Sequence, residues 1–137
     1  MEYQTITIER LIDAPRERVF KAFIDPEQVM QWHYATEGWS TPYAKIDARA
    51  GGKFDIGFKS PDGANDFAFE GTYTEVKEPE RIAYTIGDGR PVTVDFIDEG
   101  GKTKVVLVLA LESENSAEQQ REGWTEMIVH LEELMTK

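Results

Sequence analysis

The chain has 137 residues, with 26 Asp and Glu against 15 Lys and Arg, which gives a formal net charge of −11. This length fits a single domain, which we take to span residues 1–137, and the lack of cysteine excludes disulfides, thiol nucleophiles and thiolate metal sites. The acidic balance argues against nucleic acid and against an anionic membrane surface as partners.

The N-terminal residues predict a β-strand from Tyr3 to about Leu11, because Ile6 and Ile8 alternate with polar residues. These residues contain no basic region followed by an apolar core, so no export signal is visible. The longest apolar run, Val105–Leu111, has seven residues, whereas roughly 20 are needed to span a bilayer. We therefore expect a cytoplasmic protein.

Two short helices are predicted next. The first is capped by Asp13 or Ala14 and has Pro15 in its first turn, where a missing amide proton costs nothing. It ends at Asp25, because the residue before a proline is pushed out of helical geometry. Asp25 and the glutamine three residues later then predict a capping box that opens a second helix toward Trp32.

Between Tyr43 and Leu111 the apolar residues recur with a period of two. Turn sequences rich in glycine separate these runs at 61–63, 87–89 and 99–101. The pattern predicts six consecutive antiparallel strands with one apolar and one polar face. The last strand, Val105–Leu111, is apolar on both faces, so we expect it to be the best covered.

The C-terminus predicts one long amphipathic helix, with a capping box formed by Ser116 and Gln119. Its apolar arc spans about 120° and is centred on Trp124, which we expect to be buried as the anchor of the helix. The arc contains Ala117, Gln120, Trp124, Met127, Ile128, Leu131, Leu134 and Met135. The elements together predict an α+β fold in which a curved antiparallel sheet wraps around the helix from about Ser116 to Met135.

Catalytic and metal-binding patterns are absent from the sequence. His33 and His130 are the only histidines, they lie far apart, and neither has the spacing of a metal site or of a nucleophile–base pair. We expect His130 to be a partly exposed residue at the edge of the apolar stripe. His33 marks either the mouth of a pocket or a packed loop. We therefore expect no metal and no cofactor, and favour a protein that is not an enzyme.

Two other features have structural explanations. Gly51-Gly52 precedes a strand and not a helix, so we interpret it as a bend or bulge and not as a phosphate-binding loop. Glu70 has the outward parity of its strand, which predicts a solvated surface acid.

The middle of the chain is rich in aromatic residues, and a sheet curved around one helix leaves space between them. Aromatic walls with a few hydroxyls and an imidazole are typical of small-molecule cavities. The alternative is that these side chains fill the interior completely. The predicted ligand-binding residues are Trp32, His33, Trp39, Tyr43, Phe54, Ile56, Phe58, Phe69, Tyr73, Tyr84, Trp124 and Ile128.

Several short motifs occur in an order that resembles a known family. They are Pro15, Val19-Phe20, Asp25-Pro26, Trp32, Gly51-Gly52, Pro61-Asp62-Gly63, Gly71-Thr72-Tyr73, Pro79-Glu80-Arg81-Ile82, Val92-Thr93-Val94, Gly100-Gly101-Lys102-Thr103 and Gly123-Trp124. In this order they resemble the Hsp90-ATPase-activator-homologue-like branch of the START/Bet v 1-like superfamily, which includes polyketide cyclases and lipid carriers. The resemblance covers nearly the whole chain and implies a helix-grip fold.

The resemblance implies several functions and no particular catalytic residue. The first hypothesis is a protein that binds a small hydrophobic or aromatic ligand between the sheet and the C-terminal helix. The alternatives are a cyclase- or hydrolase-like enzyme that uses His33 or a tyrosine as acid or base, and a stress- or co-chaperone-type interaction module with a filled core. A chaperone partner follows only from the resemblance, and we expect a monomer or a homodimer.

Overall fold

The structure, a computed structural model, describes residues 4–34, 38–64, 66–87, 89–112 and 115–136. Within these residues it contains one seven-stranded antiparallel sheet and three helices. In chain order the elements are β1 (Thr5–Ile12), α1 (Arg16–Ile24), α2 (Pro26–Trp32), β2 (Ala44–Ile46), β3 (Lys53–Lys59), β4 (Asp66–Lys77), β5 (Arg81–Ile86), β6 (Pro91–Glu99), β7 (Lys102–Ala110) and α3 (Ala117–Met135).

The strands lie in the order β1-β7-β6-β5-β4-β3-β2. Each strand from β2 to β6 pairs with the next strand along the chain, as the spacing of the turns predicted, while β1 pairs with β7. The sheet is curved, and α3 completes a helix-grip fold, which confirms the predicted fold class. Every residue of β7 from Thr103 to Ala110 is buried or half-buried, and β5 is covered equally well, since every residue from Arg81 to Ile86 is also buried or half-buried.

The N-cap of the first helix lies one residue after Ala14 and two residues after Asp13, the two predicted caps. Pro15 is the N-cap residue, in an extended conformation and without a side-chain hydrogen bond. Ala14 is held outside the helix because its carbonyl accepts a hydrogen bond of 2.7 Å from the buried Thr103 hydroxyl of β7. The first strand is likewise shifted and runs from Thr5 to Ile12, while Tyr3 lies outside the described residues.

The junction between α1 and α2 corrects the predicted capping box. The Asp25 side chain accepts a hydrogen bond from the Glu27 amide, so it caps α2 as predicted. The Asp25 amide, however, already donates to the Lys21 carbonyl at the end of α1. The Gln28 amide group therefore donates to the Asp25 carboxylate at 3.0 Å, and the reciprocal bond of a capping box does not form.

The core lies between the concave face of the sheet and the helices. Phe20 of α1 and Phe96 of β6 pack edge to face with ring centroids 5.2 Å apart, and both are almost fully buried. The helix α3 contributes Ile128 and Leu131, of which neither is more than 1% exposed. Arg10 of β1 adds two hydrogen bonds to the Glu132 carboxylate of α3.

Trp124 is half-buried and not the fully buried anchor that the helical wheel predicted. The buried side chains of α3 are Gln120, Met127, Ile128, Leu131 and Met135. Because most of these follow Trp124, the most deeply buried part of the helix is its C-terminal half. Trp124 instead packs edge to face against Phe69 of β4, with ring centroids 5.8 Å apart.

Gly51-Gly52 has the backbone role that the sequence predicts. Gly51 has a positive φ of 85°, and its amide donates to the Tyr73 carbonyl of β4. The Tyr73 amide donates in turn to the Gly52 carbonyl. The pair therefore attaches the turn before β3 to the bulged region of β4, where the register shifts between Tyr73 and Glu75.

The predicted capping box of α3 is present. The Gln119 amide donates to the Ser116 hydroxyl at 3.1 Å, and the Ser116 amide donates to the Gln119 side chain. We expect Ser116→Ala to lower the free energy of unfolding by about 1 kcal/mol, since the first turn loses an acceptor. Ser116→Asp keeps an acceptor and should retain wild-type stability in the same urea titration. Equal stability of all three proteins would contradict this role for the cap.

Candidate functional site

An open cleft with a volume of ≈740 Å³ lies between one end of the sheet and the first half of α3. The strand β4 supplies one wall with residues 67–70, and α3 supplies the opposite wall with Gln119, Gln120, Gly123, Trp124 and Met127. His33, Trp39, Phe58, Ile86, Gly87, Arg90, Glu112 and Asn115 complete the lining. The volume is within the range of about 300–1,000 Å³ that is usual for small-molecule sites.

Six rings form a continuous wall along this cleft, which we call the aromatic wall. Phe58 and Phe67 stack with centroids 5.0 Å apart, and each of the other neighbouring pairs lies between 5.3 and 5.8 Å. Along the cleft the rings are, in order, those of Trp39, Phe67, Phe58, His33, Phe69 and Trp124. The wall begins at the half-buried Trp39 and at Phe67, which is 57% exposed, so it opens directly to solvent.

His33 is the polar member of the aromatic wall. It directly follows α2, is 6% exposed, and contacts the rings of Trp32, Phe58 and Phe69. Its Nδ1 atom is buried and has no hydrogen-bond partner on any other described residue. Burial lowers the pKa of His33 to about 4, although a hydrogen bond with its own backbone raises that pKa by a smaller amount. The imidazole is therefore neutral at pH 7.

The interior behind the cleft is almost filled. The remaining void has a volume of ≈30 Å³, which is room for about two water molecules. Its lining includes Tyr73 and Tyr84, and burial raises the pKa of both phenols above the ordinary value. Of the two alternatives for the space under α3, the filled interior is the one that the structure shows, while the open volume lies at the end of the sheet.

Four side chains separate the cleft from the interior void, because they line both. They are His33, Phe69, Trp124 and Met127. Met127 and Trp124 come from α3, Phe69 comes from β4, and His33 comes from the end of α2. A molecule in the cleft therefore contacts residues from three different elements.

The structure brings together eleven of the twelve residues predicted to bind a ligand. Two of them, Trp39 and Phe58, line the cleft alone, and His33, Phe69 and Trp124 line both spaces. Six others line only the interior void: Trp32, Phe54, Ile56, Tyr73, Tyr84 and Ile128. Trp32 is fixed there because its indole N–H donates to the Ala22 carbonyl at 2.9 Å.

Tyr43 lies apart from this group and lines neither space. Its ring covers Gly57, where any side chain would collide with it, and its hydroxyl donates to the Asp55 carboxylate at 3.0 Å. Gly57 and Asp55 have the outward parity of β3, so Tyr43 packs on the outer face of the sheet. The Gly57 amide donates to the Tyr43 carbonyl, so Tyr43 continues the pairing of β2 with β3 and lies on the same outer face as Lys45 and Asp55. The register between these two strands is not visible in the sequence.

Gln120 lines the cleft, although its position in the predicted apolar arc did not indicate a role in the site. Its side chain accepts a hydrogen bond from the Glu112 amide and donates to the carbonyls of Glu112 and Asn115. These bonds connect the first turn of α3 to the residues that follow β7. A glutamine among apolar residues is the signal in the sequence, because a buried amide requires partners of this kind.

Phe67 and Glu70 lie at the rim of the cleft. Phe67 shares its parity with Phe69, which predicts burial, but it is exposed because α3 does not extend over this part of β4. Glu70 is exposed as predicted, and its backbone carbonyl accepts a hydrogen bond from the Gly87 amide. The rim is therefore partly aromatic and partly charged.

His130 has the flanking position predicted for it. It is half-buried, its ring stacks on Tyr34 with centroids 4.2 Å apart, and its Nδ1 lies 2.6 Å from the Tyr34 carbonyl oxygen. This contact connects α3 to the segment that follows α2. Neither Tyr34 nor His130 lines the cleft.

The described part of the chain contains no cluster of three or more His, Asp or Glu side chains that could hold a metal ion. None of the helices described is both long and apolar enough to cross a membrane.

Comparison with known proteins shows close structural relatives. The AHSA1-like protein from Aeromonas hydrophila, solved by NMR, is 32% identical, with a TM-score of 0.90 over 95% of this chain and 90% of that one. A protein from Cytophaga hutchinsonii is 35% identical, with a TM-score of 0.82 over 95% and 90% of the two chains. A crystal structure from Chromobacterium violaceum is 28% identical, with a TM-score of 0.89 over 98% and 99%.

A search of the curated proteins finds no match. The family model described as "Activator of Hsp90 ATPase homolog 1-like protein" matches residues 13–136. The motif order, the helix-grip fold and this match agree, and the chain therefore belongs to the activator of Hsp90 ATPase homolog 1-like family, within the START/Bet v 1-like superfamily.

Proposed function

We propose that this protein binds a small hydrophobic or aromatic molecule reversibly in the cleft at the end of the sheet. The observation that carries the proposal is the aromatic wall, which runs from solvent to the half-buried Trp124 along an open volume of ≈740 Å³. Extended apolar surface of this kind is costly to leave in water, and an apolar ligand would cover it. The polar groups at the rim would orient the ligand.

The protonation states favour binding over acid–base catalysis. An efficient general acid or base has a pKa near the working pH. Burial moves the pKa of His33 down to about 4 and moves those of Tyr73 and Tyr84 upward, in each case away from neutrality. These three groups therefore fit recognition better than proton transfer.

A thermal-shift screen with fatty acids, aromatic polyketides and flavonoids tests the proposal. A ligand at 100 times its dissociation constant stabilises the native state by about 2.7 kcal/mol, which raises the Tm of a domain of this size by several degrees. We expect at least one compound to produce this shift. Failure of the whole panel at saturating concentrations would contradict the proposal.

A pair of variants locates the binding site. Phe69→Ala removes a ring from the aromatic wall and should abolish most of the ligand-induced shift, measured from the variant's own Tm. Tyr43→Ala removes a ring from the outer face of the same sheet and should leave the shift unchanged. If the Tyr43 variant lost the ligand-induced shift and the Phe69 variant kept it, the ligand would bind to the outer face of the sheet and not in the cleft.

The exposure of Phe67 favours a protein-interaction module as the second candidate function. A phenylalanine that is 57% exposed beside the half-buried Trp39 offers an apolar contact for a partner, and the family description names an activator of the Hsp90 ATPase. Calorimetric titration of purified Hsp90 with the wild-type protein and with Phe67→Ala tests this candidate. Saturable binding that the substitution weakens would support it, and no binding heat with the wild-type protein would exclude it.

A further inference from the structure

We propose that His33 determines the ligand specificity of the cleft by accepting a hydrogen bond from the hydroxyl of an aromatic alcohol. This inference rests on the proposed function, because it names the chemical class that the same cleft would take. It depends on three observations: the burial of the His33 ring, the unpartnered Nδ1 atom, and the position of this ring in the middle of the aromatic wall.

The unpartnered nitrogen is the first observation. Buried polar atoms are nearly always hydrogen-bonded, whereas Nδ1 of His33 has no partner on a neighbouring residue that would compensate for its removal from water. The rings of Trp32, Phe58 and Phe69 contact the imidazole, and none of these three side chains has a hydroxyl or a carboxylate. A ligand that supplies a donor would remove this cost, whereas a purely apolar ligand would leave it in place.

Access to the nitrogen requires little rearrangement. The His33 side chain lines both the cleft and the interior void, so a molecule in the cleft lies against this residue. A half-turn about the Cβ–Cγ bond exchanges Nδ1 with Cδ2 while the shape of the ring is nearly unchanged. The acceptor nitrogen of a neutral imidazole can therefore be presented to the cleft without repacking Phe58 or Phe69.

The shape of the surrounding wall selects the rest of the ligand. His33 lies between Phe58 and Phe69, with ring centroids 5.3 and 5.4 Å away, so rings extend from it in both directions along the cleft. Aromatic pairs at such separations gain specific stacking or edge-to-face contacts beyond the area that they bury. A flat aromatic molecule can make these contacts while it donates its hydroxyl to His33. A flexible alkyl chain would lose more conformational entropy and gain none of them.

Isothermal titration with matched probes tests the inference. The probes are 2-naphthol, which has a donor hydroxyl, 2-methoxynaphthalene, which lacks the donor, and 1-decanol, which has the hydroxyl on an alkyl chain. We expect the wild-type protein to bind 2-naphthol about tenfold more tightly than 2-methoxynaphthalene, because the latter leaves the nitrogen unpartnered. We expect 1-decanol to bind more weakly than 2-naphthol.

Variants of the two histidines show whether His33 is responsible. In His33→Phe the preference for 2-naphthol over 2-methoxynaphthalene should disappear while the latter still binds. His130→Phe changes the other histidine, which does not line the cleft, and should keep the tenfold preference. A preference that persists in the His33 variant would assign the selectivity to another group and overturn the inference.

The wild-type measurements separate this inference from the proposed function. Equal binding of both naphthalene probes, or tighter binding of 1-decanol, would overturn the role of His33 and leave the cleft as a binding site. If none of these probes binds but a compound of the thermal-shift panel does, the inference alone fails. If neither set binds, the proposed function fails together with it.

Discussion

Replacing Phe96 with alanine is expected to lower the free energy of unfolding by about 3–5 kcal/mol, the usual cost of removing a fully buried phenylalanine. Phe96 is 1% exposed in β6, which has a neighbouring strand on each side, and its ring packs edge to face against Phe20 and Phe23 at 5.2 and 5.1 Å. These contacts fix α1 on the concave face. The loss would be measured as the difference between the urea denaturation curves of the two proteins.

Phe67→Ala is the matched control for this substitution. It removes the same type of side chain from the same sheet. Because Phe67 is 57% exposed in the folded protein, folding buries little of its surface. We expect a cost of about 1 kcal/mol or less. Trp124→Ala should lie between the two, because Trp124 is only half-buried. If Phe96→Ala cost no more than Phe67→Ala, the position assigned to α1 on the sheet would be wrong.

Acidification is expected to weaken the fold through His33. The pKa of His33 is about 4 in the folded protein, whereas the ordinary value of 6.5 applies when the chain is unfolded. Between these values the unfolded chain binds a proton that the folded protein does not bind, so stability falls as the pH is lowered. Each pH unit in this range lowers the free energy of unfolding by about 1.4 kcal/mol, so the loss caused by His33 amounts to about 3 kcal/mol between pH 6.5 and pH 4.

Comparison with His33→Phe isolates this component from the titration of the many carboxylates. The variant has no proton to take up at this position, so its free energy of unfolding should fall less steeply between pH 6.5 and pH 4. His130→Phe retains His33 and therefore retains the component. Urea denaturation at several pH values gives all three profiles. Parallel profiles for the wild type and His33→Phe would show that the His33 ring is not buried in the folded protein.

The sequence determined the order and type of the elements, because these depend on local patterns. The alternation of Phe54, Ile56 and Phe58 with charged residues and one glycine is sufficient to predict a half-covered strand, and the capping box of Ser116 and Gln119 marks the start of α3. The family also follows from local motifs in order along the chain. The ends of the elements were predicted less exactly. The N-cap of α1 is Pro15 and not Asp13 or Ala14, because the Ala14 carbonyl accepts a hydrogen bond from Thr103, which is distant in the sequence.

The tertiary structure decided where the open space lies and which aromatic residues face it. The alternation along β4 predicts that Phe67, Phe69 and Tyr73 lie on the same face and are equally buried. In the structure Phe67 is exposed, Phe69 lines the cleft and Tyr73 is buried, because α3 crosses only part of the strand. Tyr43 lies on the outer face because it pairs opposite Gly57 of β3, whose position belongs to that face. The unpartnered nitrogen of His33 likewise depends on neighbours from distant strands, which no local pattern encodes.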